Sequence, residues 1–216
     1  MLRNERGHKR AASEAGLRER NKERKREALV RAGRALFLAK GFEETTTRAI
    51  AAKAGVASGT FFLYFREKRD LLFHLFESEA SQILEEAFAS EPKDALLVAR
   101  LTHVFGRFFA WYARNRRLSR VFLRELIFLE AGENVPMMPF TMTFVTRLAE
   151  VVADAKAKRE VRAAVDPVQA ATHAMGLYML GLIGWFNGVI PVGELRTQLA
   201  GHLELLMTGI AGRRRA

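Results

Sequence analysis

One segment decides the fold of this 216-residue chain: residues 41–72, which read GFEETTTRAIAAKAGVASGTFFLYFREKRDLL. Its pattern predicts two short helices, one reaching about Ala54 and the other spanning about 58–65. Between them stands Gly55, which accepts the positive φ that a tight turn between two helices requires. The segment therefore predicts a helix-turn-helix.

Small and apolar residues are expected to hold the two short helices together. Thr46 or Thr47 supplies the side-chain oxygen that caps the first helix. Ala51 is small enough to let the helices cross closely, and Ile50 and Val56 fill the gap between them. The second helix is then placed to insert its first turn into a major groove of DNA.

Several side chains of the segment suit contact with DNA. Gly59 has no Cβ, so the backbone there approaches a groove closely, and Phe62 offers apolar contact to a thymine methyl. Tyr64 and Lys68 place a hydroxyl and an ammonium within reach of phosphates, and Arg48 reaches either a phosphate or a guanine edge. Any one of these residues would equally suit the polar surface of a helical hairpin. The ordered set favours DNA binding.

The same set resembles the DNA-binding domain of the tetracycline-repressor (TetR) family of bacterial transcription regulators. The resemblance covers residues 24–72, about a quarter of the chain, at spacings that hold without gaps. It implies an all-α homodimer in which the first three helices bind an operator half-site. A fourth helix links them to a larger effector domain, and the last two helices form a four-helix dimer interface. The residues that carry it are Ala28, Ala32, Ala35, Leu36, Phe37, Gly41, Phe42, Thr45–Arg48, Ile50, Ala51, Ala54–Val56, Gly59–Phe62, Tyr64, Phe65, Lys68, Leu71 and Leu72.

Carried over by position, the family implies DNA-contacting roles for eight residues of this sequence. Thr47 and Lys68 would hold phosphates, and Tyr64 would touch the DNA backbone. Family members usually have tyrosine where this chain has Phe62, so the ring remains here without the hydrogen bond of the hydroxyl. The residues that would face the bases are Arg48, Ser58, Gly59, Thr60 and Phe62.

Positive charge is concentrated near the N-terminus. The chain carries 35 Lys and Arg against 24 Asp and Glu, with a net charge of +11 and an isoelectric point near 10.5. Residues 1–70 hold 18 basic and 9 acidic side chains, whereas the remaining 146 residues have a net charge of only +2. A basic module on a nearly neutral body is typical of nucleic-acid binding, because neutralised phosphates release counterions. A merely solvated basic face is the other interpretation of the charge.

The whole chain is predicted to be all α, with about nine helices. An apolar face from Leu29 to Phe37 precedes the helix-turn-helix, and a long helix from about Lys68 to Pro92 follows it. Asp94 is expected to cap the next helix, and Asp166 with Pro167 to begin a later one. Further helices are predicted at about 118–130, at about 136–158 and from Leu195 onward.

These elements predict three parts. Residues 1–20 are expected to be a basic, flexible N-terminal extension, residues 21–67 the helix-turn-helix DNA-binding domain, and residues 68–216 an effector-binding and dimerisation domain. The extension is expected either to add phosphate or minor-groove contacts or to raise non-specific affinity as a disordered tail.

Aromatic and methionine residues are concentrated in the middle of the third part. Most are expected in the core. The family resemblance nevertheless implies a ligand cavity between these helices, and methionine side chains adapt to varied ligands. We therefore expect a small hydrophobic effector, such as a fatty acyl derivative, a drug or an aromatic compound. The residues assigned to this pocket are His103, Phe105, Phe108, Phe109, Tyr112, Phe122, Phe144, Met175 and Tyr178.

The uncharged apolar run at 174–192 is compatible with two structures. It is borderline in length for a membrane span, contains Asn187 and breaks at Pro191, so a buried or subunit-interface helix is favoured. A leucine stripe on the last helix adds a second apolar face. The residues assigned to the homodimer interface are Ala174, Gly181, Gly184, Leu195, Leu199, Leu203, Leu206 and Ile210.

Catalysis, metal binding and cofactor binding find no support in the sequence. There is no cysteine, and the five histidines are scattered without metal-ligand spacing. The expected protein is thus not an enzyme. It is expected to be a cytoplasmic, ligand-responsive transcription repressor that releases a palindromic double-stranded DNA operator on binding its effector, with activation as a variant of the same interpretation. The alternative is a sequence-tolerant architectural DNA-binding protein.

Overall fold

The computed structural model describes residues 2–128 and 137–209, with side chains described from Gly16 onward. Within these ranges the chain forms eight α-helices, two short 3₁₀ helices and no β-strand, which confirms the all-α prediction. The helices are α1 (Leu2–Lys40), α2 (Thr47–Lys53), a 3₁₀ helix (Ser58–Leu63), α3 (Lys68–Ala89), α4 (Leu97–Arg114), α5 (Arg116–Ile127), α6 (Met138–Ala157), α7 (Pro167–Phe186), a second 3₁₀ helix (Val192–Glu194) and α8 (Leu195–Thr208).

The chain divides into two compact units, Met1–Leu75 and Phe76–Ala216. The first contains α1, α2, the 3₁₀ helix Ser58–Leu63 and the start of α3. The second contains the rest of α3 and all later helices. Ile210, which the sequence assigns to the dimer interface, lies outside the described residues.

Helix α1 includes the segment for which the sequence predicts a flexible extension, since it begins at Leu2. Its exposed part is rich in residues of high helix propensity. Oppositely charged side chains also stand one turn apart, as in Lys22 with Glu19 at 3.5 Å and Arg31 with Glu27 at 3.4 Å. Such pairs add a few tenths of a kcal/mol each. Apolar periodicity does not predict this part of the helix, because it is polar on every side.

The first unit is held together by apolar side chains from each of its helices. Gly33 of α1 permits close packing, because a Cβ there would lie 2.4 Å from Leu71 Cδ2 at the start of α3. The side chains at the centre of this core are Leu29, Phe37, Ile50, Ala51, Phe61, Leu71 and Leu72.

The second unit is organised around α4. Helix α6 packs against α7, and α4 packs against α6 and α8. As predicted, Asp166 caps α7, where its carboxylate accepts a hydrogen bond from the Gln169 backbone N–H at 2.9 Å. Helix α5 begins two residues earlier than predicted, at Arg116, because the Asn115 side chain accepts from the Leu118 N–H at 3.0 Å.

The predicted cap of α4 is wrong. The helix starts after Leu96 rather than at Asp94, and Leu96 makes no side-chain cap. The carboxylate of Glu160, 63 residues away in sequence, accepts the hydrogen bond of the Leu97 backbone N–H at 2.6 Å. A distant acidic residue thus satisfies a free N–H group of the first turn, which local sequence signals do not reveal.

A buried ion-pair network ties the start of α4 to its neighbours. Arg100 is buried and donates hydrogen bonds to the carboxylates of Glu91 and Asp154, and Lys158 contacts the same Asp154 at 2.8 Å. Burial by itself lowers the pKa of Arg100, but its hydrogen bonds to the two carboxylates outweigh burial and raise it. Hydrogen bonds from Lys158 and Arg100 hold the pKa of Asp154 below its ordinary value. Arg100 and Asp154 therefore both stay charged near neutral pH.

Replacing Arg100 with methionine is expected to lower the free energy of unfolding by about 3–5 kcal/mol, because a buried carboxylate loses its partner. That carboxylate is Glu91, whose side chain is only 5% exposed. Urea unfolding followed by circular dichroism measures the loss. The control is Arg107→Met, which breaks an exposed pair with Glu86 and should change stability by about 1 kcal/mol or less. Equal losses in the two variants would contradict the role of the buried pair.

Candidate nucleic-acid interface

The eight predicted DNA-contacting residues all lie in the first unit, on α2, on the 3₁₀ helix and at the start of α3. Thr47 and Arg48 form the first turn of α2, and Lys68 is the first residue of α3. Tyr64 ends the 3₁₀ helix. The 3₁₀ helix itself carries Ser58, Gly59, Thr60 and Phe62.

The turn between α2 and the 3₁₀ helix has the predicted geometry. Thr46 caps α2 by accepting a hydrogen bond from the Ala49 N–H at 3.1 Å. Gly55 has φ +70°, in the region that favours glycine. The Val56 N–H then donates to the Ala51 carbonyl at 3.0 Å and closes the turn.

The second helix of the motif, predicted as a short helix at about 58–65, is a 3₁₀ helix over Ser58–Leu63. Its N-cap, Ala57, makes no side-chain hydrogen bond. Without that cap, the short segment closes with bonds of the tighter type, such as Thr60 N–H to Ala57 carbonyl at 2.9 Å.

Two buried phenylalanines anchor the 3₁₀ helix. Phe61 and Phe65 are buried with ring centroids 5.7 Å apart. Between them Phe62 and Leu63 point outward and are 58% and 78% exposed. The anchors therefore fix an apolar outer face on the motif. The sequence analysis did not predict Leu63 as part of this face. Its position between Phe61 and Phe65 in the sequence is the pattern that would have indicated it.

The start of the 3₁₀ helix is open to solvent. Ser58 and Gly59 are exposed and Thr60 is half-buried. A Cβ built at Gly59 would meet nothing within 4 Å, so the space in front of the backbone is free. This opening suits close approach by a groove wall, and the neighbouring hydroxyls of Ser58 and Thr60 suit hydrogen bonds to base edges.

Lys68, the first residue of α3, is held by contacts with the turn that follows α1. Its ammonium donates to the carbonyl oxygens of Phe42 at 2.9 Å and Glu43 at 3.1 Å, and it stands 4.4 Å from the centre of the Phe42 ring. These contacts fix the turn after α1 to the start of α3. An ammonium has three donors, so one remains for a phosphate. The phosphate contact of Lys68 stays a prediction.

Basic side chains of α1 extend the candidate surface. A cavity of about 400 Å³ lies between α1 and the turn of the motif at Gly55. Arg24, Lys25 and Arg31 line it. Their residue types suit phosphate contact, which is independent of DNA sequence. Only the fold brings them beside Gly55, so sequence spacing alone did not reveal them.

The residues assigned to the effector pocket lie mostly in a packed aromatic core. Phe105 stacks on Tyr178 with centroids 4.8 Å apart, and Phe108 stacks on Phe144 at 4.6 Å. Phe109 also contacts Tyr178, at 5.2 Å. These rings fill the space between α4, α6 and α7.

The remaining pocket candidates surround that core. Tyr112 and Tyr178 share a hydrogen bond between their hydroxyls, and burial raises the pKa of both, so both stay neutral. Phe122 stacks on Phe76, with centroids 4.0 Å apart, and Met175 is half-buried. His103 is 3.0 Å from the Ser90 hydroxyl, and burial, together with nearby arginines, lowers its pKa.

Two cavities of the second unit have other linings. One, of about 460 Å³, lies among α4, α6, α7 and α8 and is lined mainly by apolar residues such as Leu101, Val152 and Leu203. The other, of about 880 Å³, lies between α5 and α7 and is lined by four arginines together with apolar side chains.

Most of the predicted dimer-interface residues pack inside the chain. Ala174, Leu195, Leu199 and Leu203 are buried, whereas Leu206 is exposed. Gly181 and Gly184 are half-buried, and a Cβ at Gly184 would lie 2.6 Å from Ile190 Cδ1, so this glycine leaves room for Ile190. The exposed large apolar residues of α7 and α8 are Val168, Leu180, Ile183, Leu205, Leu206 and Met207.

Neither a membrane-spanning helix nor a three-residue metal cluster occurs in the described part of the chain. No helix there has the length and apolar character needed to cross a membrane. The same residues contain no cluster of three histidine or acidic side chains able to hold a metal ion.

A capped helix, a glycine turn and an anchored short helix with an open outer face define a helix-turn-helix protein. This part of the chain matches the TetR family of bacterial transcription regulators. The family described as "Bacterial regulatory proteins, tetR family" matches residues 29–75, the part that forms this motif.

Two curated proteins to which the chain is similar are described as regulators of metabolism or transcription. The chain is 33% identical over 86 residues to the fatty acid metabolism regulator protein of Bacillus subtilis, covering 40% of this chain and 44% of that protein. It is 31% identical over 122 residues to the transcriptional repressor KstR of Mycobacterium tuberculosis, covering 56% and 54%. The chain thus spans about half, or less, of the curated relatives it matches.

Solved structures share the fold over most of the chain. FadR of Thermus thermophilus, a TetR-family repressor solved with lauroyl-CoA, is 26% identical with a TM-score of 0.72, covering 88% of this chain and 97% of that one. FadR of B. subtilis is 21% identical with a TM-score of 0.66, covering 86% and 99%, and shows the fold alone.

Replacing Thr60 and Phe62 together with alanine is expected to erase preference among DNA sequences, while weak, salt-sensitive binding remains. Specific sites are ordinarily bound about 10³–10⁷-fold more tightly than non-specific DNA. Fluorescence anisotropy measures the ratio of dissociation constants for the preferred duplex and a scrambled one, which should fall towards one. Thr143→Ala, at an exposed position of α6, is the control. A double variant that keeps the wild-type ratio would refute the assignment of these side chains.

Proposed function

We propose that this chain is a homodimeric, ligand-responsive transcription repressor that leaves a palindromic operator when a small hydrophobic effector binds. The observation that carries the proposal is the 3₁₀ helix Ser58–Leu63, anchored by Phe61 and open on its outer face. The character of the relatives, which are transcription regulators, agrees with it.

In this proposal the 3₁₀ helix enters a major groove. Thr60 and Phe62 contact base edges, with Ser58 and Gly59 at the point of closest approach. Arg48 reaches a phosphate or a guanine, and Thr47, Tyr64 and Lys68 hold the backbone. Two copies related by a two-fold axis read half-sites about 34–36 Å apart.

The dimer is proposed to form through the outward apolar residues of α7 and α8. Leu180, Leu205 and Leu206 are exposed in the single chain, and Leu180 is 56% exposed. The first lies on α7, and the other two are consecutive residues of α8 that point to adjoining faces of that helix. Exposed apolar residues grouped in this way mark protein–protein contact surfaces, because their burial between two copies removes apolar area from water.

The proposed effector is a fatty acyl thioester of coenzyme A. The T. thermophilus relative is solved with lauroyl-CoA, which joins an apolar chain to a phosphorylated nucleotide. In this chain the aromatic side chains around Tyr178 supply apolar surroundings for such a chain. Because these rings are packed, entry of the acyl chain would displace some of them.

Effector binding is proposed to act on DNA binding through α3. This helix begins with Lys68 in the first unit and ends with Ala89 in the second. A shift of α3 in each subunit would change the separation of the two 3₁₀ helices, so that only one half-site is engaged. A coupling free energy of about 1–3 kcal/mol is enough for such a switch.

Saturating lauroyl-CoA is expected to raise the dissociation constant for the preferred duplex by about 5–150-fold. The measurement is fluorescence anisotropy with the full chain, first freed of co-purified ligand by unfolding and refolding. Coenzyme A alone and laurate alone are the controls and should each have a smaller effect. Unchanged affinity with lauroyl-CoA would overturn the choice of effector. Equal affinity for all duplexes would favour an architectural DNA-binding protein instead.

A further inference from the structure

We propose that the cavity of about 880 Å³ between α5 and α7 binds the phosphate-bearing nucleotide end of the effector. The identity of the ligand as an acyl-CoA rests on the proposed function, whereas the preference of the cavity for phosphate rests on its own residues. We call it the arginine cavity, after the four cations in its lining, Arg116, Arg117, Arg120 and Arg124.

The cavity concentrates positive charge in an otherwise nearly neutral part of the chain. Residues 71–216 have a net charge of only +2, yet four arginines of one helix line this single cavity. None of the described residues in the lining is acidic. An anion entering the cavity would therefore meet a local excess of positive charge.

The four arginines are not equivalent. Arg116 donates to the Trp185 carbonyl at 3.1 Å and lies 5.7 Å from the centre of the Trp185 ring, which fixes it on α7. Arg124 is paired with Glu125 at 2.8 Å. Arg117 and Arg120 are exposed, and no described carboxylate pairs with either. These two guanidinium groups are the ones available to a ligand.

Guanidinium groups suit phosphate in particular. Each is planar, remains charged at any physiological pH and presents paired N–H donors that match two oxygens of one phosphate group. Arg117 and Arg120 stand three residues apart in α5, on neighbouring positions of one helix face. Together they would hold adjacent phosphate groups, such as those of a diphosphate.

Apolar side chains form the other part of the lining. Phe128 is 76% exposed and Ile183 is 37% exposed, and both line the cavity. A free aromatic face beside guanidinium groups suits a nucleobase next to its phosphates, because bases stack on aromatic rings. The volume of about 880 Å³ falls within the range of about 300–1,000 Å³ that is usual for ligand pockets.

Other occupants match only part of this lining. A DNA backbone would pair with the cations and leave Phe128 and Ile183 in water. A second copy of the chain would cover Ile183 but would also remove the unpaired Arg117 and Arg120 from water, which is costly without carboxylate partners. A small molecule with both phosphates and an aromatic base satisfies both parts.

The test measures binding of coenzyme A and of 3′-dephospho-coenzyme A to the full chain by isothermal titration calorimetry. For the variant Arg117→Gln with Arg120→Gln, the dissociation constant for coenzyme A should rise at least about tenfold, since each charge-assisted contact is strong. Wild-type protein should bind the 3′-dephospho compound more weakly than coenzyme A, and higher salt should weaken both. The control is Arg159→Gln, at an exposed arginine outside the cavity, which should bind as the wild type does.

Two results would overturn the inference. One is unchanged coenzyme A affinity in the double variant. The other is loss of DNA affinity or of the dimer in that variant, with ligand binding intact, which would assign the arginines to another partner. Neither result depends on operator release: a wild-type chain that binds coenzyme A through Arg117 and Arg120 but keeps its DNA would contradict the proposed function alone.

Discussion

Burial of Phe61 and Phe65 is the constraint on which the proposed DNA-binding surface depends. These two side chains hold the 3₁₀ helix on the first unit, so the residues between and before them must face solvent. The turn at Gly55 sets where the helix begins, and Thr46 sets where the preceding helix begins. A six-residue 3₁₀ helix has little stability of its own. Its outward residues keep their geometry only while the two phenylalanines stay buried.

The second unit contains an aromatic core and an arginine-lined cavity, which are the two environments that the proposed acyl-CoA effector would contact. Aromatic rings from α4, α6 and α7 pack around Tyr178 and keep its hydroxyl neutral. The arginine cavity between α5 and α7 offers charge and an exposed ring at the surface. Helix α7 contributes to both, so a ligand that occupied both would bear on this one helix. The outward Leu180 on α7 lies on the proposed dimer face, which gives a physical route from ligand to dimer geometry.

Local signals predicted the parts of the fold that depend on local chemistry. The Asp166 cap, the left-handed Gly55 and the all-α class all follow from residue types at short spacing, and the structure selects Thr46 from the two threonines predicted to cap α2. The start of α4 does not follow from them, because Glu160 satisfies its first turn from far along the chain. The sequence did not predict the arginine cavity either. Its four arginines are close together in sequence, but Ile183 lies beside them only because α7 packs beside α5. Tertiary contacts thus decided what sequence patterning could not.

Selection of bound duplexes from a random pool, at near-physiological salt, tests most directly whether two copies of the anchored 3₁₀ helix read DNA. The account predicts enrichment of an inverted repeat whose half-sites lie about one helical turn apart, or a multiple of it, because a two-fold dimer places its reading elements at that spacing. Enrichment of no sequence by ligand-free protein, with binding that disappears as salt rises, would contradict it. That result would indicate that the basic residues of the first unit contact only the phosphate backbone of DNA, without reading its sequence.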